Sequence, residues 1–401
     1  MSNGRHRHVR GSAMNAAGQR TLLTGNQAVA WAVRLCRPQV IPVYPITPQT
    51  PILEQISAFS AAGEMTAEIL TPESEHSAIA ASIAASLTGA RVFTATSSQG
   101  LLLMHELLHW AAGVRSAVVM CNVNRTVASP WGFWPDQTDS LAQRDTGWIQ
   151  WYTESAQESL DAVIMAFRLA EGVNLPVMIC HDAFYVSHAL ETVIVPGQAA
   201  VDRFLPAYSP RFNIDPAAAR SVGSNVDQTT YRRARKDIGA AMTEAGVMTD
   251  AIAAEWSGLT GRDQHGAVEI YRCEDAEQVF VTMGSLCGTV REAVDSLRGQ
   301  GHRIGLLKVR QFRPFPGDQL RGLLRGRERV MVLDRNYSPG NGGILHQEAR
   351  AALYGMQGQP AVLGYLAGVG GVNVTPADLV RMAIESGPVG QDDNKFTSVW
   401  L

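Results

Sequence analysis

Short, nearly continuous apolar runs alternate with longer stretches rich in alanine and leucine between Thr21 and Val195. The runs are VIPVYP (Val40–Pro45), RVFTAT (Arg91–Thr96), SAVVMCNV (Ser116–Val123) and LPVMICHD (Leu175–Asp182). Unbroken runs of this kind read as strands buried on both faces, and the stretches between them as covering helices. The pattern predicts an α/β protein with a parallel sheet. From Gly197 to about Gly266 it changes, with prolines first and then a charged helical stretch from Thr230 to Trp256. That region, residues 197–268, reads as a connecting arm suited to wrapping a partner. The alternation returns from Ala276 with VFVTMGS, a helix through Leu297, HRIGLLKV, a helix near Gln319, and VMVLD with its following helix. Two doubly wound domains are expected, at residues 20–196 and 269–401. Residues 1–19 read as a disordered leader, with Met14 as an alternative start.

Charge and cysteine usage narrow the function classes. A formal net charge of -3 over 401 residues argues against a nucleic-acid surface. The basic runs are the extreme N-terminus and Arg232–Lys236, the latter short enough to be a solvated helix face. No apolar run is long enough to span a bilayer, and the basic, His-rich N-terminus lacks the apolar core of a secretory signal. The expected location is cytoplasmic. Cys36, Cys121, Cys180, Cys273 and Cys287 never approach a CxxC arrangement, so neither a zinc site nor an iron–sulfur cluster is expected on this chain.

Candidate chemistry begins at VYPITPQTP (Val43–Pro51). An apolar strand from Gln39 to Tyr44 stops at Pro45, and Thr47 then sits on a turn between two prolines. Proline stiffens such a turn, and the carboxyl ends of strands are where open α/β sheets place ligands. Taken alone, the favoured reading is a proline-rich turn without chemistry.

These residues, with PESEHSAIAASIAASLTGARVFTATSSQGLLLMHELL (Pro72–Leu108) and VNRTVASPWGFWPDQTDSLAQRDTGWIQ (Val123–Gln150), resemble the alpha subunit of the 2-oxoacid:ferredoxin oxidoreductases, the pyruvate:ferredoxin oxidoreductase family. The resemblance resumes in RQFRPFP (Arg310–Pro316), VLDRNYSPGNGGIL (Val332–Leu345) and YLAGVGGVNVTP (Tyr365–Pro376), and is weakest from about Asp215 to Ala267. It implies a thiamine diphosphate pyrimidine-type domain followed by a domain like the C-terminal one of transketolases. It also implies oxidative decarboxylation of a 2-oxoacid with coenzyme A, thiamine diphosphate being the electron sink. The family's glutamate, which hydrogen-bonds the pyrimidine ring, matches Glu75. Its substrate threonine and arginine match Thr47 and Arg125, and Pro45, Ile46, Ser98 and Gln99 fall on the cofactor side.

Each residue also has a plainer reading. Glu75 is a carboxylate favourably placed at a helix N-terminus, with Glu73 as its rival. Arg125 follows the strand ending at Asn124, and its fork could pair a substrate carboxylate or one of Asp136, Asp139 and Asp145. His105 and His109 have i, i+4 metal-ligand spacing but no third ligand. Trp131, Phe133, Trp134, Trp148, Trp151 and Tyr152 could wall an acyl pocket, fill the core or face a partner. The SSQG turn (Ser97–Gly100) could cradle phosphate. The resemblance instead places the diphosphate and its Mg2+ on a beta subunit, and no GDG signature occurs here. GGILH and GVGGVN read as helix-entry turns.

The chain is therefore expected to supply half an active site. Its partners would be a beta subunit, gamma- and delta-type subunits carrying iron–sulfur clusters, and ferredoxin or an NAD-reducing subunit. Pyruvate is the favoured substrate, with phenylglyoxylate or another bulky 2-oxoacid in an NAD-linked complex as the alternative. A non-catalytic scaffold subunit and an independent nucleotide-binding enzyme are the readings from other classes.

Overall fold

The computed structural model describes residues 18–211, 213–215, 217–218, 221–386 and 399–401. Most of the leader expected at 1–19 lies outside the described residues. The first half runs β1 (Gln19–Thr24), α1 (Gly25–Cys36), β2 (Val40–Pro42), α2 (Thr50–Ala61), β3 (Glu68–Leu70), α3 (Glu75–Leu87), β4 (Val92–Thr96), α4 (Ser98–Leu103), α5 (His105–Gly113), β5 (Val118–Asn124), α6 (Thr138–Leu141), β6 (Ile149–Thr153), α7 (Ala156–Val173), β7 (Val177–Asp182) and β8 (Leu190–Val195). Helices α8 (Gln198–Phe204) and α9 (Gln228–Thr260) follow. The second half contains β9 (Val268–Tyr271), β10 (Gln278–Thr282), α10 (Leu286–Gly299), β11 (Ile304–Val309), β12 (Gln311–Arg313), α11 (Gly317–Leu324), β13 (Arg329–Asp334), α12 (Ile344–Leu353), β14 (Ala361–Leu366), α13 (Pro376–Glu385) and β15 (Val399–Trp400).

The four expected strands of the first half, β2, β4, β5 and β7, are joined by β3, β6 and β12 in a seven-stranded sheet in the order β12-β6-β7-β5-β4-β2-β3, all parallel except β12. Central β4, β5 and β7 are buried at every residue, which is why they read as unbroken apolar runs. Pairing in the run expected from Gln39 to Tyr44 is confined to Val40–Pro42, and the chain then continues unpaired toward Thr47. The second sheet, in the order β15-β14-β13-β10-β11-β9, is parallel apart from β9. An antiparallel ribbon of β1 with β8 stands apart from both.

The stretch read as an arm packs on the body of the same chain. Asp227 caps α9 by accepting from the Thr229 and Thr230 N–H groups at 2.8 and 2.9 Å, and left-handed Gly261 ends it. Ile238, Ala241, Ala245, Thr249, Ile252 and Trp256 recur every three or four residues and are buried. The Trp256 indole donates to Asp161 of α7 at 2.8 Å. Arg232–Lys236, on the first turns, is exposed as expected.

The two sheets share an apolar cluster. It runs from Ile79, Leu101 and Leu108 through Trp148, Tyr152 and Phe312 to Val281, Leu307 and Val332. β12 extends this joint by pairing with β6 of the first sheet.

Candidate active site

Four loops leave the carboxyl edge of adjacent strands of the first sheet. Those after β2, β4 and β5 carry Thr47, Ser98 with Gln99, and Arg125, and the loop after β3 leads to Glu75. This edge is where doubly wound sheets open a crevice.

Thr47, Gln99 and Arg125 are in direct contact. The Arg125 guanidinium donates to the Thr47 carbonyl and to Gln99 Oε1, and its buried Nε has no partner among the described residues. It is the backbone carbonyl of Thr47 that Arg125 engages. Thr47 and Pro45 are exposed and Ile46 half-buried, so the turn stands open at the rim. Behind it, Pro48 accepts from Asn26 Nδ2 at 2.8 Å, and Asn26 Oδ1 lies 3.2 Å from His181 Nε2. Burial holds that imidazole down at about 4, so it stays neutral and serves as a fixed support.

Among the described residues Arg125 forms no ion pair, and Asp136, Asp139 and Asp145 do not neutralise it through direct contact. Burial lowers its pKa, and the charge of Asp139 opposes that. Asp139 is fully buried and takes five N–H donors. Its Oδ2 accepts from Ser98 N at 3.0 Å, Asn122 Nδ2 at 3.0 Å and Arg125 N at 3.3 Å, and Oδ1 from Asn124 Nδ2 at 2.9 Å and Ser140 N at 2.7 Å. Burial raises its pKa to about 7 against the pull of those donors. Asn122 and Asn124 were the available signal, being two amides at the end of an otherwise apolar strand.

Glu75 opens α3, with Ser74 as its N-cap accepting from Ser77 N at 3.3 Å. Its side chain is buried, yet among the described residues nothing donates to its carboxylate. It lies against α4: a methyl group on Gly100 would fall 2.5 Å from both Glu75 Oε1 and Thr96 Oγ1. The buried Thr96 hydroxyl also has no partner among the described residues. Glu73, by contrast, is exposed and accepts from the Ser77 hydroxyl, which lowers its pKa.

The aromatic group divides in two. Trp148, Trp151 and Tyr152 are core residues with their polar atoms bonded, Trp148 Nε1 to Leu108 O at 2.9 Å and Trp151 Nε1 to Gln311 at 3.0 Å. Trp131, Phe133 and Trp134 are each about half exposed. The Arg125 guanidinium lies 5.1 Å from the Trp131 ring and 5.5 Å from Phe133. Their loop is closed on itself by Thr126, whose N–H donates to Trp134 O at 3.1 Å and whose hydroxyl donates to Gly132 O at 2.6 Å. The second domain pins the same loop: Gln137 N donates to Arg335 O at 2.9 Å, and Gly371 of the GVGGVN turn packs against Trp134.

The remaining motifs contribute little chemistry. His105 and His109 are exposed, with rings 5.1 Å apart, and His105 contacts Gln143. Among the described residues no group of three or more His, Cys, Asp or Glu is placed to hold a metal ion, and no helix is long and apolar enough to cross a membrane. All five cysteines are buried and free. GGIL does open a helix, α12, whereas GVGGVN forms a 3-10 turn and α13 starts at Pro376.

The class defined by this arrangement is a two-domain α/β protein built like a thiamine diphosphate enzyme subunit. The family model described as pyruvate flavodoxin/ferredoxin oxidoreductase, thiamine diphosphate-binding, matches residues 31–254, and that of pyruvate:ferredoxin oxidoreductase core domain II matches 276–379. Pyruvate synthase subunit PorA of Methanothermobacter thermautotrophicus is 46% identical over 89% of this chain and 93% of its own length. Ketoisovalerate oxidoreductase subunit VorA of Pyrococcus horikoshii is 47% identical over 92% of this chain and 96% of its own. The chain belongs to the alpha-subunit family of the 2-oxoacid:ferredoxin oxidoreductases. Two solved structures share the fold. A 2-oxoglutarate:ferredoxin oxidoreductase from Magnetococcus marinus has a TM-score of 0.71 at 18% identity, covering 92% of this chain and 65% of that one. A split-gene transketolase, an inactive beta4 tetramer, has 0.51 at 14%, covering 90% and 97%.

Proposed function

We propose that this chain supplies the substrate-binding and cofactor-activating half of a 2-oxoacid oxidoreductase. A 2-oxoacid would be decarboxylated oxidatively, its acyl group passing to coenzyme A and its electrons to ferredoxin or a similar acceptor. The observation that carries the reading is a buried guanidinium and a buried carboxyl group on one sheet edge, neither held by a bonded counter-group. Arg125 forms no ion pair and Glu75 receives no donor among the described residues.

The residues present fit thiamine diphosphate at the pyrimidine side. A buried carboxyl beside an orphaned threonine hydroxyl suits a heterocycle that hydrogen-bonds an acid. When bound, that cofactor supplies the sink for the electron pair left by departing carbon dioxide. Glu75 would hydrogen-bond its ring nitrogen and poise the proton exchange that activates it. Pro45, Ile46, Ser98 and Gln99 would line the same side. Arg125 would take the substrate carboxylate with its fork, and Thr47 would hold the acid at the rim. The diphosphate with its Mg2+ would sit on a beta subunit and the iron–sulfur clusters on gamma- and delta-type partners, so the chain works in a cytoplasmic complex.

Pyruvate is the favoured acid. The half-exposed Trp131 and Phe133 beside Arg125 favour a second reading, in which a branched or aromatic acid such as phenylglyoxylate is accepted and an NAD-reducing subunit takes the electrons. The test is to purify the complex through a tag on this chain and follow viologen and NAD+ reduction with pyruvate, branched 2-oxoacids and phenylglyoxylate, coenzyme A and thiamine diphosphate being present. Activity that needs both additions supports the reading and identifies the acid. An assembled, cluster-bearing complex that reduces neither acceptor with any acid overturns it.

A further inference from the structure

Arg125 can hold a carboxylate only if its fork is aimed, and nothing in its own side chain fixes that aim. Its two bonded nitrogens reach the Thr47 carbonyl and Gln99 Oε1, groups on two other loops. The placement of the loop after β5 against those after β2 and β4 therefore sets the direction of the guanidinium. One carboxylate oxygen bridges the backbones of the loops after β4 and β5, since Asp139 Oδ2 accepts from Ser98 N at 3.0 Å and from Arg125 N at 3.3 Å, and the Ser98 hydroxyl adds a second tie by donating to Thr126 O. Ser98 precedes Gln99, so one oxygen fixes the bases of both side chains that meet at the site.

We propose that Asp139 is a positioning residue for substrate binding, clasping the Ser98 and Arg125 backbones so that Gln99 and Arg125 are held in register for the 2-oxoacid carboxylate. This inference rests on the reading of Arg125 as the substrate's partner.

Two further features belong to the clasp. Ser98 has φ 46, a left-handed conformation that a non-glycine residue keeps only where its surroundings impose it. Asp139 holds the N–H of that residue, and Thr126 O holds its hydroxyl at 2.5 Å. The carboxylate itself is surrounded by donors alone, namely two backbone N–H groups from the site loops, one from Ser140 and the amides of Asn122 and Asn124. A charged carboxylate suits all five at once. An asparagine keeps the shape but offers one acceptor oxygen, so either the Ser98 and Arg125 side or the Asn124 and Ser140 side meets an amide N–H2 and the surroundings of the clasp must rearrange.

The experiment measures steady-state kinetics of Asp139→Asn in the purified complex against Arg125→Ala and the double variant. The expected result is a KM for the 2-oxoacid raised at least tenfold with kcat within about threefold and the KM for coenzyme A unchanged; misplacement by about 1 Å can cost about 100-fold. Added to Arg125→Ala, the Asp139→Asn change should cost less than a further twofold, because both act through one guanidinium. An unchanged KM, or losses that multiply in the double variant, overturns the clasp while leaving the arginine reading intact. An Arg125→Ala complex with normal 2-oxoacid kinetics sinks the arginine reading and the clasp with it. Should Asp139→Asn fail to assemble, Asn122→Val removes one of the three Oδ2 donors and leaves the backbone pair in place. A several-fold rise in the same KM is then expected, and an unchanged KM refutes the proposal.

Discussion

Glu73 and Glu75 are two positions apart and have opposite surroundings. The first lies in solvent bonded to Ser77, and the second is buried against Gly100 with nothing donating to it among the described residues. Replacing Glu75 by Gln keeps the shape and removes the acid, so kcat should fall by about 100-fold or more with the complex intact. Glu73→Gln should leave kcat within about twofold. Equal effects of the two would refute the assignment. The sequence alone left the two open, because burial depends on α4, which lies 23 residues beyond α3's start and reaches Glu75 only through the fold. The resemblance distinguished them. Asp139 shows the reverse failing: a carboxylate near an arginine reads as its ion partner, and only packing turns it toward the backbone instead. The two asparagines of β5 held the clue, since buried polar residues in a central strand need a shared acceptor.

Element by element, the central strands were legible because burial on both faces leaves an unmistakable run of apolar residues. The edges were not. β3 and β12 are only three residues long, and β12 depends on a partner strand about 160 positions earlier in the chain. α4 is held against α3 by the lack of a side chain at Gly100. Gly100→Ala should therefore displace the Glu75 carboxylate and lower kcat/KM at least tenfold while changing the melting temperature little, and a normal kcat/KM would show that α3 can give way. α9 read as an arm because its first turns are charged, and its buried stripe begins only at Ile238. Trp256→Ala removes the largest side chain of that stripe and its bond to Asp161, and should destabilise the chain by about 3–5 kcal/mol in denaturant unfolding. A loss below about 1 kcal/mol would mean that α9 is only loosely seated.

Across the whole molecule, a buried charge cluster locks the halves together. Lys308 of β11 is 2% exposed and lies 2.9 Å from Glu158 of α7, 3.1 Å from Glu154 and 3.2 Å from Glu269, and Arg310 also reaches Glu158 at 2.5 Å. Burial alone would raise the Glu158 pKa, but Lys308 and Arg310 together outweigh it and hold the carboxyl at about 2. Its pKa is thus depressed from 4.5, so its stabilising share is complete above pH of about 4.5 and is lost as pH falls toward about 2. Lys308→Met should cost about 3–5 kcal/mol at neutral pH and move acid unfolding to higher pH, read by circular dichroism. An unchanged acid midpoint would show that Arg310 suffices. Such long-range pairing is invisible in sequence, where Lys308 is one charge inside an apolar run. The crossing of β12 into the first sheet carries a consequence for the chain's history. A gene segment encoding residues 269–401 could not be exchanged as a self-contained cassette, because removing it would strip the outermost rung from the other half and leave β6 with bare amides and carbonyls. A chain cut before β9 would carry β6 as an open edge, ready to pair with another strand.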